Sequence, residues 1–167
     1  ISPPIVEARV KTHLALRRNM SELQKAYGII EAQKDRMEEE LNVGRNIQMS
    51  MVPRKFPAFP DRDEFSIHAG LYPAREVGGD FYDFFFIDEN RLCLCVGDVS
   101  GKGVPAALFM AVTRTLIKAR ASDDMSTASI LTRVNDEISR DNKAYMFVTL
   151  FVGILDTATG ELVYTNA

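Results

Sequence analysis

Residues 74–104, AREVGGDFYDFFFIDENRLCLCVGDVSGKGV, constrain the fold more than any other stretch of the chain. Two apolar runs, 81–87 and 92–97, flank Asp88-Glu89-Asn90-Arg91, and each is too short for a buried helix. The pattern predicts a β-hairpin that turns at 88–91. An antiparallel pair with that turn brings Asp80 and Asp98 to the same, open end. Gly78 and Gly79 precede Asp80, while Gly97, Gly101 and Gly103 surround Asp98. Such glycines permit the close backbone approach and unusual dihedrals that a metal or phosphate site requires. A single aspartate beside a glycine is ordinary turn chemistry. Two such turns joined by one hairpin call for a chemical explanation.

The remainder divides by pattern. Residues 1–18 place Ile5, Val6, Val10 and Leu14 on one helical stripe after Pro3 and Pro4. His13 reads as a solvated helix residue. Residues 20–51 follow a heptad through Met20, Leu23, Tyr27, Ile30, Lys34, Met37, Leu41, Gly44, Gln48 and Met51, seven of them apolar. This predicts a two-stranded coiled coil, with Lys34 in the seam to fix register and the seam weakening at Gly44 and Gln48 before Pro53. Residues 53–64 form a Pro-rich connector pinned by Phe56 and Phe59, and 65–72 read as the domain's first strand, with His68 a strand residue. A helix over 105–121 presents Leu108, Val112, Leu116 and Ala119 inward, its N-terminus offering a positive dipole end near Asp98. A break at 123–126 supplies a cap at or beside Ser126. A second helix turns Ile130, Leu131, Val134 and Ile138 inward. A strand over 146–155, a turn at 156–160 and a partner strand from 161 complete the pattern.

Composition excludes several classes. A net charge of −3 and the lack of a basic cluster speak against nucleic acid. No apolar run approaches about 18 residues, so no membrane span is expected. Cys93 and Cys95 alternate on one strand, too close along it to bridge, and fit a reducing cytoplasm. The run from Gly97 to Gly103 is not a P-loop, because three residues rather than four separate Gly97 from Gly101, and Gly103 follows Lys102.

The blocks R-E-V-G-G-D-F-Y-D (75–83) and V-G-D-V-S-G-K-G-V-P-A-A (96–107) resemble the two signatures of SpoIIE-like protein phosphatases. These are the sporulation and stress-response branch of the metal-dependent protein phosphatase 2C superfamily. The resemblance covers residues 40–167, with I-Q-M-S-M-V-P (47–53) before the domain and F-V-T-L-F-V-G-I-L-D-T-A-T-G-E-L-V-Y-T-N-A (147–167) at its end. It implies that Asp80 and Asp98 hold two Mn²⁺ or Mg²⁺ ions, Asp98 bridging them and the Val99 carbonyl a further ligand. Arg75 matches the spacing of a phosphate-binding arginine, although the relatives that carry it have Glu where this chain has Gly79. Asp83 belongs to the outer shell at most. Hard oxygen ligands suit these ions, which at roughly 3.5–4 Å apart activate water and clamp a phosphoryl group.

Residues 1–18 are similar to the last helix of a two-component receiver domain. The division expected is therefore the end of a receiver-like domain (1–18), a coiled-coil linker (19–52) and the N-terminal part of a phosphatase domain (53–167). The fold class is α+β, an antiparallel sheet with flanking helices. The implied activity is dephosphorylation of phosphoserine or phosphothreonine on a protein partner of the anti-sigma-factor-antagonist type, by a cytoplasmic homodimer joined through residues 20–51. The alternative is a non-catalytic phosphatase-like interaction module moved by its linker. The family continues past Asn166-Ala167 into further strands and two later aspartates. The 167-residue chain is accordingly expected to bind its metals poorly, to be inactive, and to leave a sheet edge open.

Overall fold

The computed structural model describes residues 2–73, 76–121 and 126–167. In chain order the elements are α1 (Pro3–Met51), β1 (Phe81–Phe86), β2 (Arg91–Val99), α2 (Val104–Ala121), α3 (Thr127–Ser139), β3 (Val148–Asp156) and β4 (Leu162–Asn166). They form two compact units, Ile1–Asn42 and Val43–Ala167.

The first unit is helix alone. Its seam residues Met20, Leu23, Tyr27, Ile30 and Met37 are 57–65% exposed, because a single helix has nothing to bury them against. Pairs one turn apart, Glu7–Lys11 at 2.7 Å and Lys34–Glu38 at 3.1 Å, decorate its surface. Exposed to solvent on both sides, such pairs contribute little to stability. Lys34, a seam position, is thus matched within its own helix.

In the second unit the four strands lie in the order β1-β2-β3-β4, every neighbour antiparallel. The expected hairpin is present. Asp88 Oδ1 accepts from the Asn90 and Arg91 amides, and the Ile87 amide donates to the Arg91 carbonyl. Asp156 repeats the device at the β3–β4 turn, where Gly160 takes a φ of +77°. The helices α2 and α3 cover the face that carries Phe81, Cys93, Cys95, Val99, Leu150 and Val152, all buried. Cys93 and Cys95 are free thiols, and burial pushes both up to about 12. Ser126 caps α3, its hydroxyl accepting from the Ser129 amide at 3.2 Å. The 122–125 part of the expected break lies outside the described residues.

Two expectations are corrected. The buried face of α2 is Ala106, Met110, Thr113, Ile117 and Ala121, whereas Leu108 and Val112 are exposed. This helix has apolar residues on two stripes, and the chosen one carries the small residues that let it lie close to the sheet. Residues 65–72 are not a strand, since no described strand pairs with them. Their side chains nevertheless alternate between half-buried and exposed, and Phe65, Ile67, Ala69 and Leu71 pack on the core. Phe56 and Phe59 pin the connector as expected, both meeting Phe84 at 5.9 Å between ring centroids. His68 packs beside Phe56 at 4.7 Å.

Candidate functional site

The last β1–β2 pair before the acids is Phe81 opposite Gly97, so Asp80 and Asp98 face one another at the open end of the hairpin. On the next strand Thr149 stands opposite Asp98. Burial raises the Asp80 carboxyl above the usual aspartate range, and the hydrogen bond and charge of Asp98 raise it further. Among the described residues, no lysine or arginine forms an ion pair with either acid.

Glycine is required where the walls of the site close in. A Cβ on Gly79 would lie 2.8 Å from both the Cβ and the carbonyl oxygen of Val99, so the loop before Asp80 runs directly over that carbonyl. A Cβ on Gly97 would run into the Phe81 ring and Leu150. Gly101 and Gly103, at φ +89° and +72°, turn the chain from β2 into α2. The Ser100 amide donates to the Phe147 carbonyl and its hydroxyl accepts from the Phe147 amide, which ties the turn to the start of β3.

Two clefts meet at the acid pair. The larger, about 560 Å³, runs along the sheet past Leu71, Tyr82, Val96 and Thr149. The smaller, about 240 Å³, is bounded by Gln48, Gly78, Gly79, Val99 and Lys102. Lys102, two residues before α2, is the basic residue among those lining the smaller cleft.

Asp83 stands elsewhere, which corrects the outer-shell expectation. A strand turns alternate residues to opposite faces, so an offset of three sends Asp83 to the helix side. There Arg114 of α2 reaches its Oδ2 at 2.7 Å, with the Asp83 side chain 3% exposed. Burial raises the Asp83 carboxyl, while Arg114 and Lys118 pull it down. Arg75 lies outside the described residues.

Two residues escaped the sequence reading. Arg114 is the charge in the otherwise apolar face of α2 that would have signalled a buried partner. Gln48, the buried residue of α1, stands at an apolar position of the heptad, which was its signal. The weakening of the heptad at Gly44 and Gln48 has a local cause. Gln48 bonds to Gly78, and a Cβ on Gly44 would touch Val77 at 3.8 Å, so this turn of α1 faces the loop before Asp80.

The donor set is two carboxylates and a carbonyl, all hard oxygen, which suits Mg²⁺ or Mn²⁺. Among the described residues no group of three or more His, Cys, Asp or Glu side chains converges. No described helix is long and apolar enough to cross a membrane.

Residues 88–167 match the family model described as stage II sporulation protein E (SpoIIE), a span that includes Asp98. Protein IcfG of Synechocystis sp. is 32% identical over 77% of this chain and 24% of its own length. Phosphoserine phosphatase RsbU of Bacillus subtilis is 26% identical over 77% of this chain and 37% of its own. The chain therefore spans between about a quarter and two fifths of these curated relatives. Among solved structures, the RsbU and RsbW domains of Rv1364c from Mycobacterium tuberculosis share 32% identity. That match covers 57% of this chain and 27% of the other, at a TM-score of 0.51. The SiaA-PP2C domain of Pseudomonas aeruginosa, 23% identical, superposes at a TM-score of 0.69 over 81% of this chain and 55% of its own. It has the same fold.

Proposed function

We propose, from the premise that the chain carries a SpoIIE-family domain of the PP2C phosphatase type, that the protein hydrolyses phosphoserine or phosphothreonine on a protein partner. The observation that carries the reading is the Asp80–Asp98 pair, two carboxylates held against one another at the mouth of two clefts. Holding like charges together is unfavourable unless a cation or a shared proton offsets it. RsbU and RsbP of Bacillus subtilis, both phosphoserine phosphatases, support the substrate class.

In this reading Asp80, Asp98 and the Val99 carbonyl would hold Mn²⁺ or Mg²⁺. When bound, these ions supply Lewis acidity and positive charge for the phosphoryl oxygens. The chain's own groups bind and orient. Lys102 and the N-terminus of α2 draw the phosphoryl group in, the glycine turns let it approach the backbone, and Arg75 steers it. Two carboxylates give a charge of about −2 against +4 for two divalent ions, so residues 1–167 alone hold the pair weakly. The absence of a third acid among the described residues also favours one other reading, a phosphatase-like module that binds a phosphoprotein without cleaving it.

The test is phosphate release from a phosphoseryl protein by the full-length protein, with Mn²⁺ and with chelator. Mn²⁺-dependent release that Asp98→Asn abolishes is the expected result. Unchanged turnover in Asp98→Asn overturns the metal-site reading, and phosphoprotein binding without release selects the non-catalytic module.

The partner we assign is an anti-sigma-factor antagonist, and the arrangement a cytoplasmic two-component output protein, with residues 1–18 the end of a receiver-like domain and 19–52 a linker. Residues 20–51 join two copies in this reading, through the part of the α1 seam that is exposed, Met20, Leu23, Tyr27, Ile30 and Met37. Arg at both Leu23 and Ile30 puts unpaired charge into that seam, at about 2 kcal/mol or more for each buried charge. Sedimentation should then report monomer. A mass unaffected by the double substitution excludes this seam as the dimer contact.

A further inference from the structure

Gln48 is the buried residue of α1, 6% exposed in a helix otherwise open to solvent or half-covered. A buried carboxamide is unfavourable unless both of its ends are satisfied. Here both are, and by the main chain of one residue. Gln48 Nε2 donates to the Gly78 carbonyl at 2.5 Å, and its Oε1 accepts from the Gly78 amide at 3.2 Å. Among the described residues, no other side chain hydrogen-bonds the main chain of residues 76–79.

The held residue, Gly78, is two positions from Asp80. Between them Gly79 lies over the Val99 carbonyl and against Ala106, with no room for a Cβ. On the near side Val77, 5% exposed, packs toward Gly44, one turn before Gln48 on the same side of α1. Beyond Asp80, the Tyr82 hydroxyl donates to the Pro53 carbonyl at 2.6 Å. The stretch carrying Asp80 is thus tied at both ends to residues that end α1 or follow it, and Gln48 itself lines the smaller cleft with Asp80 and Asp98.

We infer that Gln48 is a positioning residue of the acidic site: by holding both the N–H and the C=O of Gly78 it fixes where Asp80 stands relative to Asp98 and the Val99 carbonyl. A carboxamide is suited to this task because it offers a donor and an acceptor side by side, able to meet the N–H and the C=O of one residue together. Two acids that repel one another need such an external restraint if they are to stay in register for a cation. The inference rests on the reading of Asp80 and Asp98 as a divalent-cation site.

The experiment uses the full-length protein and Gln48→Met, which keeps the length of the side chain and removes both hydrogen bonds. Calorimetry measures Mn²⁺ affinity, and phosphate release is followed as Mn²⁺ is varied. By analogy with groups that orient metal ligands, the Kd for Mn²⁺ and the Mn²⁺ needed for half-maximal rate should rise about tenfold. At saturating Mn²⁺ kcat should return to within about threefold of the parent, because Gln48 touches no reacting atom. Unchanged Mn²⁺ affinity overturns the inference. So does a loss of kcat that no Mn²⁺ concentration restores, accompanied by a matching fall in the melting temperature of the metal-free protein, since that is the mark of a purely structural role. If the parent protein binds no Mn²⁺, the site reading fails and the inference fails with it. Should Gln48→Met not fold, amide exchange on the parent decides. The Gly78 amide should be protected, and exchange at the open-chain rate overturns the grip.

Discussion

Asp80 and Asp83 stand three residues apart and occupy opposite environments. Asp83 lies between sheet and helices, where Arg114 answers its charge from within the chain. Asp80 lies at the sheet's open end, where its neighbour is another carboxylate. An acid matched by an internal cation holds elements together. An acid set against a second acid, beside clefts, has no counter-charge from its neighbour, and the proposed function fills that place with a divalent cation. The difference lies in what the next layer supplies: α2 brings a guanidinium to Asp83, whereas the glycine turns bring only backbone to Asp80.

The comparison can be broken most forcefully at Arg114. Arg114→Met strands a buried carboxylate and should cost about 3 kcal/mol at neutral pH in urea unfolding. The sign of its pH dependence follows from Asp83. Burial already raises that carboxyl, and losing Arg114 removes the largest influence pulling it down. A group whose folded pKa is raised favours the fold below its unfolded pKa, and that stability is lost as pH rises through the folded value. The deficit of Arg114→Met should therefore shrink from pH 7 toward pH 4. A deficit that stays constant or grows on acidification would show that Asp83 is not the charge left behind.

Asp98→Asn should do the opposite. Activity of the full-length protein falls roughly 100-fold or more, equivalent to about 2.7 kcal/mol of barrier. Stability of the metal-free protein stays within about 0.5 kcal/mol or improves, because repulsion between solvent-screened acids is relieved. Equal losses of stability in the Arg114 and Asp98 variants would erase the distinction between the two regions. Gly79→Ala is the gentlest probe. Its Cβ would meet Val99 at 2.8 Å, so the loop must shift, at about 1–2 kcal/mol for overpacking. The shift moves Asp80 and leaves Asp83 in place, so Mn²⁺-dependent activity should fall further than the melting temperature alone accounts for.

The parts legible from sequence were those written in local code. The 81–86 and 91–99 strands, their Asp88 turn, the Ser126 cap and the convergence of Asp80 on Asp98 follow from short apolar runs and turn residues a few positions apart. Pattern also predicted the alternation of residues 65–72, but a strand needs a partner ladder, and no pattern within eight residues reveals one. The α2 face was misassigned because both of its stripes are apolar, and the choice rests on how closely Ala106 and Thr113 let the helix approach the sheet. Gln48 was visible only as a blemish in a heptad. Its meaning depends on Gly78, thirty residues away.

Cys93 and Cys95 give the sheet a built-in clock. They are the chain's two cysteines, both on the strand flanked by ladders on either side. Alkylating reagents attack thiolate, and with the thiols pushed to about 12 only about one in ten thousand is ionised at pH 8. In an open chain the thiol pKa of about 8.5 leaves roughly a quarter ionised at the same pH. The alkylation rate of the native chain thus counts excursions in which the central strand is uncovered. Any single cysteine added on the surface can be tagged long before these two respond.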